Sequence, residues 1–192
     1  MNEIDKPLAG RTAIVTGASR GIGKAVALRL AAAGAHVVIG ARSIDTPAGE
    51  FAGTIHETAN AIRAFGGKAT PLAVDMTNAS SREAFIKAAI AAGIATTGGI
   101  DILVNNAGTA VYKNTWDYSF VEGMEQIDAY FAGPWHLCNL LIPHLIEHGG
   151  GSILNLGSSS VVKIPQPPYD KHLQYFGVAR RAFGADCAMT LT

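Results

Sequence analysis

Residues 11–23, RTAIVTGASRGIG, run from a short apolar stretch into three glycines, and the alanine-rich segment KAVALRLAAAG follows at once. RTAIVT has the length and the Val/Ile content of a buried strand, while GIGKAVALRLAAAG carries apolar residues at helical spacing. Between the two lies Thr16-Gly17-Ala18-Ser19-Arg20-Gly21-Ile22-Gly23. A side chain at Gly17 or Gly21 would hold a pyrophosphate away from the backbone amides, and Gly23 lets the helix press against the strand. The helix N-terminus adds unpaired N–H groups and a partial positive charge. The spacing is G-x-x-x-G-x-G rather than G-x-G-x-x-G. Glycines also serve ordinary tight turns, so it is the strand before and the helix after that select the dinucleotide-binding reading.

Working outward, the same alternation repeats. AHVVIG (35–40), KATPLAV (68–74), IDILVN (100–105) and SILNLG (152–157) are short, rich in Val, Ile and Leu, and mostly continuous rather than alternating. Such runs suit strands buried on both faces of a parallel sheet. GTIHETANAIRAFGG, SSREAFIKAAIAAG and a long segment from Phe120 to Glu147 carry helical spacing, and several end in glycine where a left-handed C-cap is expected. Strand and helix in alternation predict an α/β fold with a Rossmann-like doubly wound parallel sheet, built as one domain over residues 1–192. The prolines at 165, 167 and 168 exclude regular helix or central strand from VVKIPQPPYDKHLQYFG, which is expected to loop over the carboxyl end of the sheet.

Composition narrows the partners. Lysine plus arginine equals aspartate plus glutamate at 15 each, which leaves no positive excess for nucleic acid or an anionic membrane. The opening MNEIDKPLAG is polar where a signal peptide needs an apolar core, and the apolar stretches are broken by glycine before they could span a bilayer. Cys138 and Cys187 form neither a disulfide framework nor zinc-type CxxC pairs, so a cytoplasmic protein is expected. His144 and His148 stand four apart and could both meet a metal, but no third ligand is evident, and a solvated helix face is the expected role.

TGASRGIG resembles the cofactor turn of the short-chain dehydrogenase/reductase family, and Asn105-Asn106-Ala107-Gly108 after the fourth strand resembles its NNAG signature. The two motifs stand in the family's order, and the likeness covers about residues 8–160. The resemblance implies a nicotinamide cofactor and hydride transfer between an alcohol and a ketone or aldehyde. It implies also that Asp75 and Met76 flank the adenine, that Asn105, Ala107 and Gly108 line the ribose and nicotinamide side, and that copies of the chain pair through the helices after the fourth and fifth strands. Which nicotinamide is bound turns on the end of the second strand, where a carboxylate would favour NAD and a cation NADP. Gly40-Ala41-Arg42-Ser43 offers no acid, and Arg20 adds a second guanidinium inside the glycine turn, so NADP(H) is expected ahead of NAD(H).

In the family a serine, a tyrosine and a lysine perform the proton transfer. Ser158, just beyond the fifth strand, matches the serine, with Ser159 as the alternate. Tyr175 is the candidate tyrosine, yet Tyr-x-x-x-Lys is not intact. Four on from Tyr175 is Ala179, four back from Arg180 is Phe176, and no lysine follows Lys171. Five positions on a helix turn Tyr175 and Arg180 away from one another. Upstream, where the family carries an asparagine three residues before a glycine, counting back from Gly133 gives Tyr130, expected to pack as an apolar core residue. Residues after Phe176 look unlike the family's catalytic helix, as a shifted reading frame near Gly177 or a natural short form would leave them. The sheet is expected to be incomplete at the C-terminus. The reading is therefore an NADP(H)-dependent oxidoreductase of small carbonyl or alcohol substrates, with a non-catalytic nucleotide- or partner-binding remnant of the fold as the alternative.

Overall fold

The computed structural model describes residues 6–47, 52–108 and 117–157. Five strands, β1 (Thr12–Thr16), β2 (His36–Ala41), β3 (Lys68–Ala73), β4 (Ile102–Asn105) and β5 (Ser152–Asn155), form one parallel sheet in the order β3-β2-β1-β4-β5. β1 and β2 are buried along their whole length, as their continuous apolar runs require. Successive side chains go to opposite faces of the sheet. Ile14, Val38 and Leu103 pack with Phe85, Ile86, Leu137 and Leu141. On the other face Val15, Val37, Ile39 and Val104 pack with Ala27, Ala31, Ala59 and Ile62.

The covering helices are α1 (Gly21–Ala32) and α2 (Ile55–Ala64) on one face, and α3 (Ala79–Thr97) and α5 (Gly133–Glu147) on the other. α1 buries Gly23, Ala27 and Ala31 and so approaches the sheet closely. Gly34, just past α1, has φ +101, the left-handed end expected of that glycine. α3 departs from expectation: it does not stop at Gly93 but runs on to Gly98, whose φ is +98 and whose N–H returns to Gly93 and Ile94. The Phe120–Glu147 segment is also not one uniform helix. α4 (Phe120–Ile127) passes through a π turn, Asp128–Ala132, before α5 begins. β3 contains Pro71, which the sheet accommodates because β3 lies at its edge.

The amino end of the sheet is closed by polar pairs. His36 Nδ1 meets Thr12 Oγ1 at 3.3 Å and its Nε2 meets Thr70 Oγ1 at 2.8 Å, while Thr12 Oγ1 also bonds Thr97 Oγ1. Asp101 accepts from Arg11 and from the Thr12 N–H. Reversing between β1 and β4, the strand order leaves a crevice at the carboxyl end, the place where open α/β sheets bind ligands. Among the described residues no helix is long and apolar enough to cross a membrane.

Candidate functional site

β1 delivers the glycine turn to the mouth of this crevice, and β4 delivers Asn105 to Gly108 beside it. The two are tied together by Thr16 and Asn106. The amides of Asn106 and Ala107 both donate to Thr16 Oγ1 at 3.0 Å, and Asn106 Nδ2 donates to the carbonyls of Thr16 (2.8 Å) and Gly17 (3.3 Å). Gly17 has φ +67, and a Cβ there would lie 2.7 Å from Ala107 Cα. A Cβ on Gly23 would strike the Asn106 amide and the Gly17 carbonyl. Gly21 has φ +57 and open space where a side chain would stand. From behind, Thr58 on α2 donates to the Ala18 carbonyl at 2.9 Å.

α2, α3 and α4 each begin with a side chain, Thr54, Asn78 and Ser119, accepting from a first-turn amide. α1, which follows Arg20 at its N-cap, has no side-chain cap and no acidic residue in its first turn. Its leading N–H groups and positive end are therefore left for an anion at the crevice.

The crevice is a cleft of roughly 430 Å3 lined by Gly17, Ser19, Arg20, Gly21, Ile22 and Gly23, by Ala41, Arg42 and Ser43, by Val74, Asp75, Met76 and Thr77, and by Asn106, Ala107, Gly108 and Ala129. Ten of the sequence-chosen cofactor residues lie on it together with Gly17. Asn105 instead lines an adjoining chamber of roughly 220 Å3 with Ile22, Tyr130, Pro134, Leu156 and Gly157. Ile22 is 66% exposed, an apolar side chain shared by both spaces. Tyr130 is buried, as expected, with its ring pressed on Gly108, and it also forms a wall of the chamber. Ser158 and Tyr175 lie outside the described residues.

Asp75 is oriented by its neighbours. Its Oδ1 accepts from the Thr77 amide (2.9 Å) and hydroxyl (2.8 Å), and its own amide donates to Ser81 Oγ. Burial pushes its carboxyl up, but the Thr77 hydrogen bonds and the charges of Arg42 and Arg82 outweigh that and hold it below the usual carboxylate value. It is thus an ionised acceptor at the cleft. Met76, beside it, is buried, and its carbonyl takes a short bond from Arg82.

Sequence reasoning passed over Thr16, Thr58, Asn106 as the clamp of the turn, and Arg82; each acts through a contact far off in the chain, which spacing does not reveal. It also misjudged His144, which is not on a solvated face. The side chain is buried, its Nε2 accepts from the Ile100 amide at 3.0 Å, and its ring stacks on His148 at 3.9 Å between centroids. Among the described residues no group of three or more His, Cys, Asp or Glu is placed to hold a metal ion.

The arrangement fits a dinucleotide: a pyrophosphate at the open turn and the uncapped helix, a cationic rim at Arg20 and Arg42, an ionised acceptor at Asp75 and an apolar floor at Ile22. Comparison with known proteins agrees. The family model described as short chain dehydrogenase matches residues 11–168. The zebrafish (Danio rerio) hydroxysteroid dehydrogenase-like protein 2 is 42% identical over 149 residues, covering 78% of this chain and 35% of its own. The human protein of that name is 41% identical over 149 residues, covering 78% of this chain and 34% of its own. The chain thus spans about a third of the length of these curated relatives. Among solved structures, a metagenomic short-chain oxidoreductase in complex with NADP superposes with a TM-score of 0.77 at 30% identity, over 96% of this chain and 75% of that one. A short-chain type dehydrogenase/reductase from Mycobacterium marinum gives 0.79 at 30% identity, over 95% and 65%.

Proposed function

Since this chain belongs to the short-chain dehydrogenase family, we propose that it binds NADP(H), in preference to NAD(H), and exchanges hydride with a small alcohol, ketone or aldehyde. The observation that carries the reading is the single cleft on which the glycine turn, the uncapped start of α1, Arg20, Arg42 and Asp75 converge. Arg42 is exposed at the end of β2, where Gly40-Ala41-Arg42-Ser43 carries no acid, which suits a 2'-phosphate better than a free ribose hydroxyl. That a relative of similar fold was solved with NADP supports the same choice.

The nicotinamide supplies the hydride when bound. This chain's residues do the rest: the turn amides hold the pyrophosphate, Asp75 accepts from the adenine amino group, and Asn105, Ala107 and Gly108 border the ring that carries the hydride. Ser158 and Tyr175 are assigned the hydrogen bond and the proton to the substrate oxygen. The apolar side chains that α4 and α5 leave exposed, Phe120, Val121 and Met124 with Trp135, Ile142 and Ile146, support pairing with a second copy.

A second reading, nucleotide binding without turnover, is favoured by the residues beyond Lys171, where Tyr175 and Arg180 stand five apart instead of the four that Tyr-x-x-x-Lys requires. NADPH fluorescence on binding, measured beside NADPH consumption with a panel of ketones and aldehydes, separates the two. Binding with turnover supports the oxidoreductase, binding without turnover the second reading, and no binding overturns both.

A further inference from the structure

Arg82 belongs to no motif, yet it stands in the first turn of α3 with only 6% of its surface exposed. A guanidinium taken so far out of water needs hydrogen-bond partners. Among the described residues it has two, and neither is charged in the form that accepts: the Met76 carbonyl from one side and, at 3.1 Å from its Nε, Nδ1 of His136 on α5. Among the described residues no carboxylate comes within ion-pair distance of it. A buried cation without a paired carboxylate does not stabilise a fold by itself.

Where Arg82 sits gives it another role. Its two bonds join α3, the Asp75–Thr77 turn and α5. The same turn is backed by Gly133, where a Cβ would come within 3.0 Å of the Met76 carbonyl. Met76 is therefore fixed from two directions, and Asp75 precedes it in the chain on the wall of the cleft. Thr77 occupies Asp75 Oδ1, and among the described residues nothing donates to Oδ2.

We propose that Arg82 is a positioning residue for the purine end of the site: by holding the Met76 carbonyl it aims the Asp75 carboxylate, so that a purine bearing a 6-amino donor is preferred over one bearing a 6-oxo acceptor. This rests on the coenzyme reading above, and it concerns recognition of the base rather than the chemistry of the nicotinamide.

The test is a ratio. Dissociation constants of the full chain are measured by fluorescence for NADPH and for reduced nicotinamide hypoxanthine dinucleotide phosphate, in which the amino group is replaced by oxygen. The unsubstituted protein is expected to prefer the adenine form by about tenfold, the discrimination that one charge-assisted hydrogen bond provides. Arg82→Gln is expected to bring the ratio close to unity, and Arg82→Lys, which keeps the charge and can still donate to Met76, to restore part of it. Where Arg82→Gln does not fold, His136→Leu carries the same comparison, because it leaves the guanidinium anchored at one end only. Failure to bind either nucleotide overturns the coenzyme reading. Binding without preference, or a variant that weakens both nucleotides equally and keeps the ratio, overturns the role of Arg82 alone.

Discussion

The same five strands end in two different environments. At the amino end of the sheet the polar side chains are matched to one another: Thr97, Thr12, His36 and Thr70 form a continuous chain, Asp101 takes both Arg11 and the Thr12 amide, and His144 takes the Ile100 amide. At the carboxyl end groups are left open. α1 starts with no side-chain cap, Gly21 faces empty space, and among the described residues the buried Asn105 Oδ1 has no hydrogen-bond partner. A protein that satisfied every group at both ends would hold its sheet well and have nothing to offer a ligand. Among the described residues, one end pairs its polar groups with one another and the other leaves the start of a helix and a buried amide oxygen unpaired.

The contrast is open to attack by substitution. The largest effect is expected from Gly23→Ala at the carboxyl end, where the added methyl must displace the Asn106 amide and the Gly17 carbonyl. Coenzyme binding should be lost in calorimetry, and urea unfolding should show a loss of about 3 kcal/mol. A variant that still binds would show that the turn is not the seat of binding. Next, Arg42→Ala should weaken NADPH by about 10- to 100-fold, the loss of a charge-assisted contact to phosphate. Titration should find NADH little changed and the thermal midpoint almost unmoved, since Arg42 is exposed.

At the amino end the pattern should invert. Thr12→Val keeps the shape but takes the hydroxyl away from His36 and Thr97, and should cost about 1–2 kcal/mol in urea unfolding. NADPH affinity should stay the same; a loss there would mean that the two ends are coupled. The most gradual effect is expected with pH. His36 is held below its ordinary value of 6.5 by burial and by Lys68. His144 is held below it by burial and by His148, against opposing pulls from Glu147 and Asp101. The unfolded chain therefore takes up these protons first, so the stability that both histidines contribute is complete above 6.5 and declines as the solution is acidified below it. Urea midpoints measured from pH 7.5 downward should fall, and the double variant His36→Gln/His144→Gln should flatten the profile.

How far the sequence disclosed this molecule depended on the range of the interaction. All five strands were visible as short, mostly continuous runs rich in Val, Ile and Leu, and the glycine turn was visible because strand, turn and helix are contiguous. Arg42 could be placed because it stands at the tip of the second strand, whereas Asp75 was reached only through the resemblance of its stretch to the family's adenine contact. What distant parts of the chain decide was hidden. Gly93 had the look of a helix end, yet α3 continues past it to Gly98. The π turn at Asp128–Ala132 has no periodic mark of its own, because it is a local change in helix winding. His144 and His148, four apart, suggested an exposed face, and only the approach of the chain at Ile100 shows that one of them is buried. Arg82 was hidden for the same reason: charged residues usually lie outside, and only the fold reveals that this one is enclosed.

Pro71 has a bearing on how this protein behaves in a crowd of its own kind. β3 forms a border of the sheet, and such a border is a template on which a stranger's backbone can align. Proline lacks the N–H that each rung of a ladder needs, so any chain laid alongside the middle of β3 meets a missing rung. Replacing it with a β-branched residue would make the border continuous and invite the molecules to stack into fibres.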